Sequence, residues 1–219
     1  MWDSQTFAML LMGLLETLYM TLLSTIFAYV LGLPMGVLLV TSEQTGILPM
    51  PKLNKVLNII VNIVRSVPFL ILLIAITPFT RLVTGTTIGS TATVVPLVIG
   101  AAPFIARLVE SSIKEIDKGV IEAAVSMGCS PSQIIMKVMI PEAVPSLMMG
   151  AAIATTTILG YSAMAGICGG GGLGDLAIRY GYYRYQNDIM IATVVLLVVV
   201  VQIIQEVGMK IAKKQDKRK

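Results

Sequence analysis

Histidine is missing from all 219 residues, and cysteine occurs only at 129 and 168. Without imidazole there is no histidine general acid or base, no histidine metal ligand and no histidine-containing triad. The two cysteines lack metal-ligand spacing and read as small apolar fillers. Charge is scarce as well: Asp, Glu, Lys and Arg make up 13% of the chain, against about 25% in soluble domains. With 56% hydrophobic residues and a mean hydropathy of +0.86, that deficit indicates a membrane protein. The net charge of +4 and the pI of 9.1 do not indicate nucleic acid, because the basic residues cluster beside apolar spans.

What is abundant is uncharged length. Thr17–Ser42, Leu82–Ala106, Ala143–Gly174 and Ile189–Gln205 carry no charge, and Val56–Thr80 carries only Arg65. Spanning the hydrocarbon takes roughly 20 apolar residues, so the chain reads as an all-α polytopic protein with five transmembrane helices. Residues 1–219 form one domain with its core at about 13–205, too small to enclose a solute pathway alone. Gly32-Leu33-Pro34-Met35-Gly36 in the first span, and Pro96, Gly100 and Pro103 in the third, mark kinks or close helix contacts.

Lys and Arg set the orientation. None precedes the first span, which argues against a cleavable signal peptide. With the amino terminus outside and the carboxyl terminus inside, the cytoplasm receives Lys52, Lys55, Arg65, Arg107, Lys114, Lys118, Lys137 and a basic tail over 210–219. Only Arg81, Arg179 and Arg184 remain outside, a division of 13 to 3. Cys129 then lies inside and Cys168 outside, so no disulfide joins them within one chain.

This topology makes 109–142 a cytoplasmic loop, and the loop has helix punctuation. Asp117 is placed to cap a helix carrying Val120, Ile121, Ala124 and Val125 on one face. Gly128 stands where a helix ends in a left-handed residue. Ser130, Pro131 and Gln133 form an N-cap, a first-turn proline and a capping box. Two short helices joined by a tight elbow are expected, with Ala123 and Ala124 leaving a shallow face and Glu122 a charge at its rim.

The stretch Glu122–Pro141 resembles the signature loop of ABC-importer permeases. Glu122, Ala123, Ala124, Gly128 and Pro141 match it, while Val138 and Ile140 replace its usual Ile and Leu, and a proline common near the loop's start is absent. The resemblance implies a coupling loop that docks in a cytoplasmic ATPase through Glu122, Ala123, Ala124, Gly128, Ser130, Pro131 and Pro141. The chain lacks the G-x-x-x-x-G-K-[ST] loop of nucleotide hydrolases. ATP and magnesium therefore belong to that partner, and this chain is no enzyme.

Further stretches narrow the resemblance. Gly100–Arg107, Gly160–Gly166, the turn Gly169–Gly174 and Leu176–Tyr182 are similar to the methionine-importer permeases of this family, and Arg65–Phe69 resembles an element of its amino-acid permeases. The likeness covers nearly all of 10–210. Cys168 departs from an expected aliphatic residue. The implied assembly, of the type I permease fold, has two copies of this chain, two ATPase subunits and an external methionine-binding lipoprotein in a bacterial inner membrane.

The turn Gly169–Gly174 also satisfies G-x-G-x-x-G, but no strand precedes it and it falls outside the cell. It reads as close backbone approach, not a nucleotide site. The external loop Asp175–Tyr185 holds Arg179, Tyr182 and Arg184, which suit either a binding-protein contact or the interfacial aromatic belt. Asn54, Asn58, Asn62 and Arg65 form a polar stripe on the helix entering span two, facing protein, water or the cytoplasmic boundary. The fourth span offers Thr155, Thr156, Thr157, Tyr161, Ser162 and Met164 to a solute, with Met164 a soft plug or an ordinary packing residue. The other four spans have uncharged cores, whereas ion-coupled transporters need intramembrane acids or bases, and this favours an external motor. A permease for another amino acid, or an ATPase-independent transporter, are the alternatives.

The orientation is testable by reporter fusion. Fusions after Lys137 and Lys219 are expected to report cytoplasm, and one after Arg184 the outside. Opposite signals at 137 and 184 would overturn the topology.

Overall fold

The computed structural model describes residues 3–215, which contain helices and no strand. The order is α1 (Ser4–Thr41), α2 (Pro51–Ser66), α3 (Phe69–Ala75), α4 (Thr77–Thr84), α5 (Ser90–Lys114), α6 (Lys118–Ser126), α7 (Pro131–Ile134), α8 (Ile140–Ala165), α9 (Gly172–Leu176) and α10 (Asn187–Gln215). Wider π-helical turns occupy Ile135–Met139 and Ala177–Tyr182, and a 3₁₀ turn occupies Gly166–Cys168.

Four continuous helical runs are long and apolar enough to cross a membrane: α1, α5, Pro131–Cys168 and α10. The expected second span is a broken one. α2 and α3 are bent by 102° at Val67-Pro68, so a single straight helix over Val56–Thr80 does not form. Proline is the reason. It disfavours the α region for the preceding residue, and Pro68 itself is extended, with ψ 134°. The third span starts later than expected, because α4 ends at Thr84 with Gly85 as its cap, whose φ is +75°, and α5 starts only at Ser90 and runs on to Lys114.

Pro141 acts differently. It has no N–H for the carbonyl four residues back, and its ring crowds that carbonyl. The preceding turn widens so that the Ile140 N–H reaches the Ile135 carbonyl, five residues away. The helix therefore continues through the signature loop into α8 as one run from Pro131 to Cys168. This corrects the second short helix of the expected elbow: it is the first turns of a membrane span.

The chain sorts into two compact units, each gathered from separated segments, and the long helices contribute to both. The first comprises residues 1–28, 67–101 and 155–205. Its apolar centre includes Leu10, Leu176 and Ile189. Phe69 stacks on Tyr161, their ring centroids 4.5 Å apart and the planes within 4° of parallel. The second unit comprises 29–66, 102–154 and 206–219, with Leu39, Val61 and Ala106 at its centre.

Within the second unit the glycine pair of α1 packs closely on the backbone of α5. A Cβ on Gly32 would lie 2.7 Å from the Ala102 carbonyl oxygen, and one on Gly36 would lie 2.6 Å from that of Ala106. Close backbone approach at small residues is how helices associate in lipid, where burying apolar side chains brings no gain over the acyl chains. α1 is continuous through Gly32–Gly36, so the motif serves contact rather than a break. In α2, Leu53, Val56, Ile59, Ile60 and Ile63 are exposed while Val61 is buried. Its apolar face thus looks outward, as lipid permits and water does not.

Gly36→Leu is expected to lower stability in detergent by about 1–3 kcal/mol, the usual cost of overpacking. Gly160→Ala, where nothing lies within 4 Å of the added Cβ, should leave the melting curve unshifted or raised. Indistinguishable curves for the two variants would contradict this account of the contact.

Candidate functional site

The signature loop begins where α5 ends. Glu115 N–H bonds the Ser111 carbonyl and Ile116 N–H bonds that of Ile113, so helical turns continue almost to Asp117. Asp117 caps α6 by accepting from the Gly119 N–H at 2.7 Å. At the other end Gly128 has φ +77°, with open space around its missing Cβ. Backbone conformation, not crowding, therefore restricts this position. Ser130 then opens α7 with a complete capping box: its hydroxyl accepts from the Gln133 N–H, and Gln133 Oε1 accepts from the Ser130 N–H at 2.9 Å.

The faces of α6 differ in one respect from the expectation. Ala124 is 2% exposed and turned into its own unit, so it offers no surface to a partner. Ala123 and Glu122 are exposed, and with Val120, Val125 and Met127 they form the outward face. Along the expected face of Val120, Ile121, Ala124 and Val125, burial is uneven: Ala124 is covered while Val120 and Val125 are exposed. Ser130 and Pro141 are exposed and Pro131 is half-buried. Beside α6 lies a cavity of about 520 Å³ lined in part by Glu43, Lys114, Lys118, Glu122 and Met139.

A polar ring behind the loop has a composition that sequence reasoning found only in part. Asn54 Nδ2 donates to the Leu39 carbonyl at 2.7 Å and to the Ser42 hydroxyl at 3.0 Å. Asn58 Nδ2 donates to Asn54 Oδ1 at 2.9 Å. Arg107 Nη2 donates to the Oδ1 atoms of both Asn58 and Asn62, each at 2.8 Å, and its Nη1 to Glu110. Lys114 then joins Glu110 at 2.8 Å and Glu43 at 2.7 Å. The asparagine stripe was visible in the sequence, but its partner is Arg107 and not its own Arg65, which is exposed. A periodic stripe of amides signals that a partner exists; it does not name the residue, which comes from 45 to 49 positions away.

In the first unit the glycine turn holds three left-handed residues: Gly169, Gly171 and Gly172, with φ of +75°, +80° and +75°. α1 supplies acceptors to its backbone. Glu16 accepts from the Gly172 N–H at 2.7 Å, and the Thr17 hydroxyl accepts from the Leu173 N–H at 2.8 Å. All of α9 is buried. Close packing explains why no side chain would fit: a Cβ on Gly174 would lie 2.3 Å from the Ala163 carbonyl oxygen. The expected external loop is therefore helical from Gly172 to Tyr182, and the irregular chain is confined to 183–186. Arg179 is paired with Asp175, Arg184 lies 4.6 Å above the Tyr180 ring, and Tyr182 is 63% exposed.

Of the span-four residues, Tyr161 is engaged by Phe69, and Met164 is 42% exposed. Ser162 is 1% exposed and donates its hydroxyl to the Leu159 carbonyl at 2.7 Å, which leaves it no face toward a solute. Thr155, Thr156 and Thr157 are half-buried. Among the described residues no group of three His, Cys, Asp or Glu side chains could hold a metal ion.

Residues 28–208 match the family model described as the inner membrane component of binding-protein-dependent transport systems. The chain belongs to this family. Binding-protein-dependent permeases like it include a probable D-methionine transport system permease protein of Vibrio cholerae, 50% identical over 217 residues, spanning 99% of this chain and 96% of that protein. The D-methionine transport system permease protein of Escherichia coli K12 is 51% identical over 158 residues, 72% of this chain and 73% of its own length. Among solved structures, an inward-facing methionine ABC transporter matches with a TM-score of 0.97 at 46% identity, covering 99% of this chain and 100% of that one. An amino-acid ABC transporter crystallised with histidines matches at a TM-score of 0.73 and 20% identity, a likeness of fold alone. As a permease of this family, the chain is a multi-pass inner-membrane component without the nucleotide-hydrolysing loop.

Proposed function

We propose that this chain is the permease subunit of an ATP-driven methionine importer, two copies of it forming the pathway. The observation that carries the reading is the near full-length likeness to a methionine transporter at a TM-score of 0.97. ATP and magnesium sit on two copies of a partner ATPase, and an external methionine-binding lipoprotein delivers the solute.

The amino terminus lies outside and the carboxyl terminus inside. Ten described Lys and Arg residues fall in the unit comprising 29–66, 102–154 and 206–219, while Arg81, Arg179 and Arg184 fall in the other. That sorting supports the orientation; Lys217, Arg218 and Lys219 lie beyond the described residues. Residues 109–142 are the coupling loop. Its caps make α6 a rigid body, and the outward face carrying Glu122, Ala123, Val125 and Met127 meets the ATPase. Gly128, Ser130 and Pro131 set the angle between that body and the span starting at Pro131, with Pro141 supported by the wide turn before it.

A thioether side chain needs little polar recognition, and an apolar path with hydroxyls suits it. Thr156, Tyr161 and Met164 are the side chains assigned to that path. The zwitterion's charges are met by hydroxyls, backbone or water. On the outer side Tyr182 and Arg184 contact the binding protein, and Arg179 does so as half of an ion pair with Asp175.

Reconstituted with its ATPase and binding protein, the permease should accumulate labelled methionine only when ATP is present. Equal accumulation of a charged amino acid, or uptake that ignores ATP, would overturn the assignment. Gly128→Val isolates the loop's contribution. A β-branched residue in the left-handed region costs about 1–2 kcal/mol or more, and ATPase co-purification and uptake are both expected to fall. Normal ATP-driven uptake by this variant would remove the loop from coupling.

A further inference from the structure

The polar ring around Arg107 closes on itself. It runs from the end of α1 (Leu39 carbonyl, Ser42) through Asn54, Asn58 and Arg107 to Glu110, Lys114 and Glu43, the neighbour of Ser42. Three segments that share no secondary structure are thereby joined: the end of α1, the polar face of α2 and the last two turns of α5. Lys114 is the final residue of α5, and Asp117, three positions later, caps α6. The intervening chain is held by Glu115 and Ile116 backbone bonds, and Ile113 and Ile116 are 2% and 4% exposed. α6 thus has little freedom to move without α5.

Arg107 is the keystone because of its geometry. Its guanidinium engages two amides of α2 with Nη2 and one carboxylate of α5 with Nη1. A planar fork with separated, fixed donors does this; a lysine ammonium places its three donors on one atom and does not span the two amides and the carboxylate in the same geometry. Glu110, with 12% of its side chain exposed, is served by two cations. Charge-assisted networks of this depth hold a unique arrangement more firmly than isolated pairs.

We infer that Arg107 is a positioning residue for transport: it binds α2 to the end of α5, so that displacement of α6 by the ATPase moves α2 as part of the same body. This inference rests on the coupling role given above to residues 109–142. Breaking the ring would leave α6 able to respond to ATP while α2 lags, and hydrolysis would outrun transport.

Three variants test it in the reconstituted complex: Arg107→Met, the pair Asn58→Ala with Asn62→Ala, and all three changes together. Methionine carried per ATP hydrolysed should fall about fivefold or more for each, the lower end for a coupling interaction, while the ATPase still assembles and hydrolyses. The triple variant should be no worse than Arg107→Met, as residues acting through one contact do not add. Arg107→Lys should recover only part of the loss. Hydrolysis and transport falling in step, failure of the complex to assemble, or additive effects would each reduce the ring to a structural brace. A second readout needs no substrate. Spin labels at the exposed positions Lys55 and Ser126 should keep one distance with and without ATP in the unmodified permease, and give a broadened, ATP-dependent distribution in Arg107→Met. If the unmodified complex ignores methionine but the labels behave this way, the substrate assignment fails and the positioning role stands. A distance that changes with ATP in the unmodified permease would overturn the role itself.

Discussion

A backbone N–H facing hydrocarbon has no water to bond, and leaving it unpaired costs several kcal/mol. The long helices follow from that constraint. The chain keeps the same pairing where the proposed topology puts it at the membrane's two faces, in the cytoplasmic loop and the outer glycine turn. Where Pro141 cannot donate, the turn before it widens to find another carbonyl. Where the glycine turn exposes donors at Gly172 and Leu173, a carboxylate and a hydroxyl from α1 take them. Thr17, Thr25, Thr41 and Thr193 return their own hydroxyl protons to carbonyls four residues back. At Val67-Pro68 the chain accepts a sharp bend within a candidate span, and there the helices resume within two residues.

The same constraint governs which features were legible in the sequence. The elbow was readable because each of its parts is local: Asp117 with Gly119, Gly128 alone, Ser130 with Gln133. Capping depends on residues two or three apart, and their order states the geometry. Long apolar runs were readable for the same reason, since only a helix satisfies a lone segment in lipid. The break in the second span was less so. Pro68 was in view, yet a proline alone does not distinguish a kink from a bend of 102°; that depends on what α2 and α3 each pack against.

Two further features were hidden because they are tertiary. Nothing adjacent to Arg107 indicates that it serves Asn58 and Asn62. Ala124 faces inward although composition placed it on an open face, because the neighbours that cover it come from elsewhere in the unit. α2 adds a related point. Its inward side mixes Val61 and Leu57 with Asn54 and Asn58, while Ile59, Ile60 and Ile63 look outward with Asn62 and Arg65, so amphipathic pattern alone gives the two faces but not which one is buried.

The elbow also bears on how the protein is made. Its defining bonds lie within the seventeen residues from Asp117 to Gln133, and none of the caps requires a distant strand or helix. Contacts so short in chain separation form early and quickly. In the proposed orientation this segment leaves the ribosome on the cytoplasmic side, after α5 has entered the bilayer and before α8 has. The elbow's geometry is therefore set in chain order before α8 is complete, and no residue of α8 is needed to set it.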